Sequence, residues 1–400
     1  MSMRSLDQLD ISGKKLLIRV DYNVPLEEGV IKDDIRIRAS LPTLRHALDK
    51  GAAIILCAHA GNPKGQIVPE LSLKPMAQRL AELLGLPVRM APDCVGPEVE
   101  RLAAELKPGQ VLLLENLRYH AEEQGKTPEA RGDFGQRLAV LADIYVNDAF
   151  GVAHRPNASV VDVPRHSKMC CAGFLLRKEW DYLSSAMTNP KRPYVAISGG
   201  AKVSTKLGII QHLLPIVDHL VIGGAMANTF LLAQGYYVGA SLVEEHMVDT
   251  AKVILDEAGR MGAKLHLPVD FLWGTDPKQA VASGTCDAHN VPQGAMLLDI
   301  GPKSLLAFGD LLRTAKTVVW NGPMGLFENP AFAKGSIGLC KLIANLNALT
   351  IVGGGDTDSM VHEAHQESKM SFISTGGGSF LEFLEGKELP AFTALKECGA

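Results

Sequence analysis

The sequence lacks the features that would place the chain in a membrane or in an oxidising compartment. No apolar run approaches the roughly 18 residues that a membrane span needs, and the N-terminal MSMRSLDQLD contains no long apolar stretch that would indicate a secretory signal. The seven cysteines are odd in number and include no C-x-x-C pair. This pattern is typical of unlinked thiols in a reduced protein, so we expect a cytoplasmic chain.

Strong net charge and the common nucleotide motifs are also missing. The net charge of −4 gives no reason to expect nucleic acid or an anionic membrane as a partner. Neither G-x-x-x-x-G-K-[ST] nor G-x-G-x-x-G occurs, so the P-loop and dinucleotide fingerprints are absent. Any affinity for anions must therefore come from local clusters of basic residues or backbone N–H groups.

Short apolar runs recur along the 400 residues, and glycine or polar residues follow most of them. Such runs are typical of parallel strands buried on both faces. Between them lie segments with helical spacing, such as 72–84, with Pro75 in its first turn and Gly85 after its end. This alternation predicts βαβ units and parallel sheets. The predicted strands are LLIRV (16–20), AAIILCA (52–58), VLLLEN (111–116), IYVN (144–147), YVAIS (194–198), LVIGG (220–224), TVVWNG (317–322), TIVGGG (350–355) and SFIST (371–375).

The two halves of the chain carry different residues after their predicted strands. We expect a connecting helix over 173–190, between a domain over 1–172 and a second over 191–389, with a tail over 390–400. Strand ends in the first half carry charged and hydrogen-bonding residues, whereas those in the second half carry glycine clusters. Because ligands of open α/β sheets bind outside the carboxyl ends of the strands, the halves should bind different ligands.

The residue types at these strand ends suit phosphoryl transfer between two substrates. Glycines after a strand let the backbone approach a phosphate closely, and Asp356 adds a carboxylate of the kind that holds magnesium. The first half offers Arg36, His59, Arg118 and Arg155. Such a set fits a small substrate with several negative charges, because guanidinium groups match carboxylate and phosphate.

Each of these features also has a structural explanation. A glycine cluster can be a tight turn, and Arg118 or Arg155 alone can form a surface ion pair. His59 can be a structural histidine, and Asp356 can cap a helix. From the residues alone, a dehydrogenase of Rossmann type and a noncatalytic nucleotide-binding protein therefore remain as alternatives. The missing dinucleotide fingerprint argues against the dehydrogenase.

Distinctive sequence motifs occur along nearly the whole chain, from RSLDQLDISGKKLLIRVDYNVPL (4–26) to STGGGSFLEFLEGKELP (374–390). The most specific are WNGPMGLFE (320–328) and GGGDT (353–357). These strings resemble the phosphoglycerate kinase family. The resemblance implies two doubly wound, Rossmann-like parallel-sheet domains that face each other across a hinged cleft. It also implies a mostly monomeric, cytoplasmic glycolytic enzyme that uses magnesium with ATP or ADP.

The resemblance further assigns roles to individual residues. The expected 3-phosphoglycerate ligands are Asp21, Tyr22, Asn23, Arg36, His59, Ala60, Gly61, Asn62, Arg118 and Arg155. The expected catalytic groups are Arg36, Lys202, Lys206, Gly355 and Gly377. The expected nucleotide ligands are Lys206, Gly223, Gly224, Asn321, Glu328, Gly354, Gly355, Asp356 and Thr357, with Asp356 also holding the metal.

The chain departs from the family pattern in a few places. The family usually has arginine where this chain has Asn62, often has histidine at Asn157, and commonly has lysine at Ala240. Asn62 bears on substrate affinity, and Lys64 is a candidate to replace the lost charge. Two alternatives to the family reaction remain at this point, a kinase for another carboxylate and a noncatalytic relative. The chain retains Arg36, Lys202, Lys206 and Asp356, which argues against a noncatalytic relative.

Overall fold

The computed structural model describes residues 3–398, which separate into two compact units. The first unit contains the residues up to 181 together with those from 388 onward, and the second is Tyr182–Lys387. Among the described residues, no helix is both long enough and apolar enough to cross a membrane.

The first unit is built on a six-stranded sheet in the order β5-β6-β4-β1-β7-β8, in which every neighbouring pair is parallel. A short antiparallel hairpin, β2-β3, lies outside it. The strands are β1 (Lys15–Val20), β2 (Leu26–Glu27), β3 (Val30–Ile31), β4 (Ala53–Cys57), β5 (Val88–Met90), β6 (Val111–Leu113), β7 (Ile144–Asp148) and β8 (Cys170–Ala172). The strand order reverses between β1 and β7, so this is where a ligand is expected.

The first unit also contains helices, and the spacing of apolar residues predicted one of them. These helices are α1 (Ile35–Asp49), α2 (Lys74–Leu84), α3 (Pro97–Glu105), α4 (Pro128–Ala139) and α5 (Val163–His166). The next helix, α6 (Phe174–Thr188), belongs to the first unit up to residue 181 and to the second unit from Tyr182 onward. Helix α2 confirms the prediction over 72–84, with Met76 and Leu80 buried and Gly85 left-handed at its end (φ 70°). Helix α6 occupies the segment in which a connecting helix was expected.

The second unit contains a parallel sheet in the order β11-β10-β9-β15-β16-β17 and an antiparallel sheet in the order β13-β12-β14. Its strands are β9 (Tyr194–Ser198), β10 (His219–Ile222), β11 (Lys264–His266), β12 (Asp270–Gly274), β13 (Gly284–Asp287), β14 (Met296–Ile300), β15 (Thr317–Asn321), β16 (Leu349–Val352) and β17 (Phe372–Ile373). Its helices are α7 (Leu207–Leu213), α8 (Met226–Ala233), α9 (Val248–Met261), α10 (Pro302–Leu312), α11 (Lys334–Ile343), α12 (Gly355–Glu363) and α13 (Gly377–Leu384).

Both large sheets confirm the prediction of parallel strands buried on two faces. All five residues of β4, β7, β9 and β15 are buried. Separate apolar clusters form the cores, with β1, β4 and β7 contributing to the first and β9, β15 and β16 to the second. Polar side chains are therefore confined mainly to the strand ends, which is what positions the candidate sites.

The last helix, α14 (Pro390–Cys398), belongs to the first unit. The Ala391 N–H donates to the Ala153 carbonyl at 3.1 Å, and the Phe392 ring lies edge-on to Trp180 at 4.6 Å. Packing of α14 brings Cys398 to Cys170 on β8, and the two form a disulfide across 228 residues of sequence.

This disulfide corrects the expectation that all the cysteines are unlinked. The five others, Cys57, Cys94, Cys171, Cys286 and Cys340, are free and buried. Neither the number of cysteines nor their spacing reveals the pair, because tertiary packing alone brings the two residues together. The cysteine pattern therefore does not by itself indicate a reducing compartment.

Breaking this cross-link should destabilise the first unit. We expect Cys398→Ser to lower the free energy of unfolding by about 2–4 kcal/mol, since a disulfide restricts the unfolded chain. Urea denaturation with and without dithiothreitol measures the effect. Reductant should lower the midpoint of the unmodified chain and leave that of Cys398→Ser unchanged; an unmodified chain insensitive to reductant would contradict the prediction.

Candidate active site

The predicted polar residues of the first half lie at the carboxyl ends of four adjacent strands. Asp21 and Asn23 follow β1, His59 follows β4, Arg118 follows β6, and Arg155 follows β7. Because β6, β4, β1 and β7 are neighbours in that order, these residues share one edge of the sheet. The topology thus brings the predicted residues of this half together.

A chain of hydrogen bonds links the residues expected to bind substrate. Arg36, in the first turn of α1, donates to the Asp21 carboxylate at 3.0 Å. The Asn23 side-chain oxygen accepts from the Gly61 N–H at 2.8 Å. The Gly61 carbonyl in turn accepts from Arg118 at 2.7 Å. These contacts fix the loops that follow β1, β4 and β6 against one another.

Arg118 is the strongest sign of an anion site. Its side chain is buried, and its Nε has no hydrogen-bond partner among the described residues. Burial, together with repulsion from Arg155 and Arg19, lowers its pKa to about 10. A buried guanidinium with an unsatisfied N–H is unfavourable unless a ligand supplies an acceptor and negative charge.

His59 is held as a neutral hydrogen-bond donor. Arg19 lies with its Nη2 3.1 Å from the His59 Nδ1. Since a guanidinium can only donate, Nδ1 must accept, which leaves the ring proton on Nε2. Burial and the neighbouring arginines lower the pKa of His59 well below its ordinary value. The ring therefore offers an N–H group rather than a positive charge.

Other predicted substrate ligands are placed differently. Tyr22 is completely buried in the core, and its hydroxyl lies 3.0 Å from that of Ser40. Its side chain is therefore outside the cationic edge. Ala60 is buried, and its carbonyl accepts from Asn116 at 2.8 Å, whereas Asn62 is exposed.

A buried network beneath this edge was missed in the sequence prediction of site residues. Arg19 donates to the Ser159 hydroxyl at 3.0 Å. The Ser159 hydroxyl and N–H donate to the buried Glu123 carboxylate at 2.6 and 2.9 Å. The signal available in the sequence was an arginine inside the apolar run LLIRV. Its partners, which are distant in sequence, carried no such signal.

The glycine clusters of the second half meet where β9 and β15 adjoin. This is the point at which the order of that sheet reverses. A Cβ atom placed on Gly322 (φ 94°) would lie 2.2 Å from the Gly199 carbonyl oxygen. A Cβ atom placed on Gly224 (φ 68°) would lie 2.4 Å from the Gly200 carbonyl oxygen. A side chain at Gly223 would collide with Met324 at 2.2 Å. These glycines therefore let the loops pack directly on one another.

Hydrogen bonds join these loops to the helix that follows β16. Lys206 donates to the Asn321 side-chain oxygen, and the Asn321 amide donates to the Gly353 carbonyl at 2.6 Å. The Thr357 hydroxyl is buried and accepts from the Gly322 N–H at 2.7 Å. Thr357 thus has a structural contact, while the first N–H groups of its helix have no acceptor within the helix.

Two helices begin close together beside these loops. Helix α12 starts at Gly355 after Gly354 (φ 101°), and α13 starts at Gly377. A Cβ atom placed on Gly377 would lie only 3.7 Å from the backbone nitrogen of Gly355. First-turn N–H groups and helix dipoles favour anions, so the paired helix starts suit a phosphate.

A cavity of about 450 Å³ adjoins this region, and both Glu328 and Asp356 line it, together with Gly224 and Ala240. Its walls are mainly apolar, with Leu298 among the lining residues. Burial lowers the pKa of Lys206, and the charge of Asp356 opposes that shift. Lys202 is exposed in the same unit.

A magnesium ion bound with a nucleotide fits the donors in this part of the second unit. Asp356 is an exposed carboxylate at the start of α12, and oxygen is the donor that magnesium prefers. Within residues 3–398, the only group of three His, Cys, Asp or Glu donors close enough for one ion is Asp93, Cys94 and His120. Asp356 therefore suits an ion whose other ligands are phosphates and water.

Comparisons with known proteins identify the family to which the chain is similar. The family model "Phosphoglycerate kinase" matches residues 6–387. A phosphoglycerate kinase of Maridesulfovibrio salexigens is 65% identical over 99% of this chain and 100% of its own, and that of Syntrophobacter fumaroxidans is 49% identical over 99% of both. The solved structure of phosphoglycerate kinase from Coxiella burnetii has a TM-score of 0.91 at 38% identity, covering 99% of each chain. That from Pyrococcus horikoshii has a TM-score of 0.84 at 32% identity, also covering 99% of each chain.

The contact with Arg19 should keep His59 neutral in the folded protein. We expect ¹⁵N NMR of labelled histidine to show the Nε2–H tautomer, with no protonation of His59 as the pH falls through the ordinary histidine pKa of about 6.5. In Arg19→Met the Nδ1 atom would lose its hydrogen-bond donor, so the His59 ring should also populate the Nδ1–H tautomer. A His59 ring that becomes doubly protonated near or above pH 6.5 in the unmodified protein would contradict this assignment.

Proposed function

The chain belongs to the phosphoglycerate kinase family, and from that premise we propose how its own residues carry out the family reaction. The reaction is reversible phosphoryl transfer between 1,3-bisphosphoglycerate and ADP, giving 3-phosphoglycerate and ATP. The attacking group is already an anion in both directions, so no general base is needed. Catalysis then consists of aligning two anions and neutralising charge on the transferring group.

The first unit is the proposed phosphoglycerate site. The observation that carries this proposal is the buried Arg118, whose Nε has no partner among the described residues. Arg118 and Arg155 would bind the phosphate, and the neutral His59 would donate a hydrogen bond beside them. Asp21 and Asn23 would hold the hydroxyl and carboxylate end, because both can accept hydrogen bonds and Asn23 can also donate.

Arg36 is the proposed stabiliser of the transferring group from the side of the first unit. It is held by Asp21 and by the Asn23 carbonyl but is still partly exposed, with 38% of its side chain accessible. Charge on the transferring oxygens is best met by donors that are already in place. Lys202 and Lys206 would meet the same group and the nucleotide phosphates from the second unit.

The second unit is the proposed nucleotide site. The apolar cavity suits a base, Glu328 suits the ribose hydroxyls as an acceptor, and the starts of α12 and α13 suit the phosphates. The glycines Gly223, Gly224, Gly354, Gly355 and Gly377 would supply close backbone approach, beside Asn321 at the end of β15 and Thr357 in the first turn of α12. Asp356 would hold the magnesium ion that, when bound, neutralises phosphate charge.

Two conditions complete the proposal. Both substrates must meet in one water-free site, so we propose that the domains over 1–172 and 191–389 close over them around the segment 173–190. Closure would protect the acyl phosphate from hydrolysis. We also propose that the enzyme acts as a monomer in the cytoplasm, as the family pattern implies.

Removing the Arg36 guanidinium should impair transfer far more than nucleotide binding. We expect Arg36→Ala to lower kcat by about 10³-fold in a coupled assay with 3-phosphoglycerate and ATP, because its contact strengthens as charge develops. The affinity for magnesium–ADP, measured by calorimetry, should stay unchanged.

Asp356→Asn is the matched control for this experiment. It should weaken magnesium–ADP binding and leave 3-phosphoglycerate binding intact, since an amide lacks the carboxylate charge. A kcat loss of tenfold or less in Arg36→Ala would remove that residue from the catalytic role. Unchanged magnesium–ADP affinity in Asp356→Asn would remove the metal assignment.

Restoring the family's arginine at position 62 should tighten substrate binding. Charged hydrogen bonds are worth roughly 1.5–3 kcal/mol and neutral ones about 1 kcal/mol. We therefore expect Asn62→Arg to lower the Kd and KM for 3-phosphoglycerate by about threefold to thirtyfold, with little change in kcat.

Lys64→Ala, measured at the same ionic strength, tests whether the neighbouring lysine already replaces the arginine. Lys64 is exposed and left-handed (φ 57°) in the turn after Asn62. We expect its loss to have a small effect on the Kd. No tightening in Asn62→Arg, together with a large loss in Lys64→Ala, would assign the contact to the lysine instead.

A further inference from the structure

Three side chains with different metal-binding atoms converge beside the carboxyl ends of β5 and β6. Asp93 and Cys94 lie in the loop between β5 and α3, and His120 follows the short helical turn after β6. Strands β5 and β6 are parallel neighbours, so their carboxyl-terminal loops meet. One donor atom from each of the three residues lies within 4.8 Å of the other two.

The geometry points to a transition-metal site, with Zn²⁺ as the favoured ion, formed by Asp93, Cys94 and His120. One thiolate, one imidazole and one carboxylate with an open fourth position match the donor types and number that zinc takes in proteins. The same set is unsuited to magnesium, which prefers oxygen donors alone. None of the three residues has a role in the proposed phosphoryl transfer, and Asp356 belongs to the second unit.

The surrounding contacts already orient these donors. The His120 Nε2 lies 2.6 Å from the Asp93 Oδ1, and the His120 ring stacks on Phe134 at 4.8 Å. The Cys94 sulfur lies 2.9 Å from the Glu115 carbonyl oxygen. Ring stacking and these short contacts restrict the donor positions, which lowers the entropy lost when an ion binds.

The site needs only a small adjustment to accept an ion. Ligand atoms around a tetrahedral zinc lie about 3.2–3.8 Å apart, so the Asp93 oxygen and the His120 nitrogen must separate by roughly 1 Å. The donor atoms lie up to 4.8 Å apart, so the wider pairs must approach by a similar amount. The Asp93 side chain is 49% exposed and His120 is 21% exposed, so an ion can reach these two donors from solvent, whereas Cys94 is fully buried. On binding, the Cys94 thiol proton passes to the buffer and the sulfur becomes a thiolate ligand.

We expect water, rather than a further carboxylate, to occupy the fourth coordination position of the metal. Glu115 is adjacent, but its side chain already accepts from the N–H groups of Leu73 and Asn116 and from the Ser72 hydroxyl. An ion here would tie the loop of residues 93–94 to the segment that carries Asn116 and Arg118. Metal binding should therefore also stabilise the first unit against unfolding.

Cobalt substitution tests this site directly. We expect Co²⁺, added to protein freed of metal with a chelator, to bind at one equivalent and produce a thiolate-to-cobalt charge-transfer band. Zn²⁺ should abolish the band, and excess Mg²⁺ should leave it. His120→Gln should weaken Co²⁺ binding by more than the roughly tenfold to hundredfold that loss of an outer-sphere partner causes.

Matched variants separate the site from other thiols and from misfolding. Cys94→Ser should lose the band, whereas Cys286→Ser, at a free buried cysteine of the second unit, should keep it. Asp93→Asn keeps every cysteine and should weaken binding with unchanged circular dichroism. Absence of the band in the unmodified protein, or its persistence in Cys94→Ser, would overturn the proposal and leave Asp93 and His120 as a hydrogen-bonded pair only.

Discussion

A fully buried arginine, Arg19, is the constraint on which the candidate site of the first unit depends. Burying a guanidinium costs several kcal/mol unless it is paired and hydrogen-bonded. Arg19 donates to the Ser159 hydroxyl and the Val20 carbonyl and lies against the His59 ring, while the buried Glu123 carboxylate joins it through Ser159. Satisfying this one charge therefore requires strand β1 and three separate loops to be in place together.

The same buried charge also affects its neighbours. Burial is the main cause that lowers the pKa of both His59 and Arg118, and repulsion from Arg19 contributes to each shift. The histidine responds by staying neutral, whereas an arginine with a pKa of about 10 remains charged at neutral pH. The edge of the sheet thus combines lasting positive charge with a neutral N–H donor. The charge that this edge contributes therefore does not change across the pH range in which free histidine titrates.

The sequence predicted the elements that depend on local patterns and missed those that depend on distant contacts. Continuous apolar runs identified β1, β4, β9 and β15 because both faces of these strands are buried. The antiparallel β12-β13-β14 sheet escaped prediction, since its strands are only partly buried. The Cys170–Cys398 disulfide and the Arg19 network escaped for another reason. Their members are far apart in sequence and meet only when the unit folds.

Glycine after a strand has two physical explanations that the sequence cannot separate. Gly199, Gly224 and Gly322 were expected to let the backbone approach a phosphate, yet each also lets one loop lie directly against another. These roles reinforce each other, because loops packed without side chains hold their N–H groups in fixed directions. Fixed dipoles stabilise developing charge without reorganisation during the reaction. Close backbone packing thus makes the candidate site of the second unit rigid. In the first unit, the buried Arg19 has the same effect.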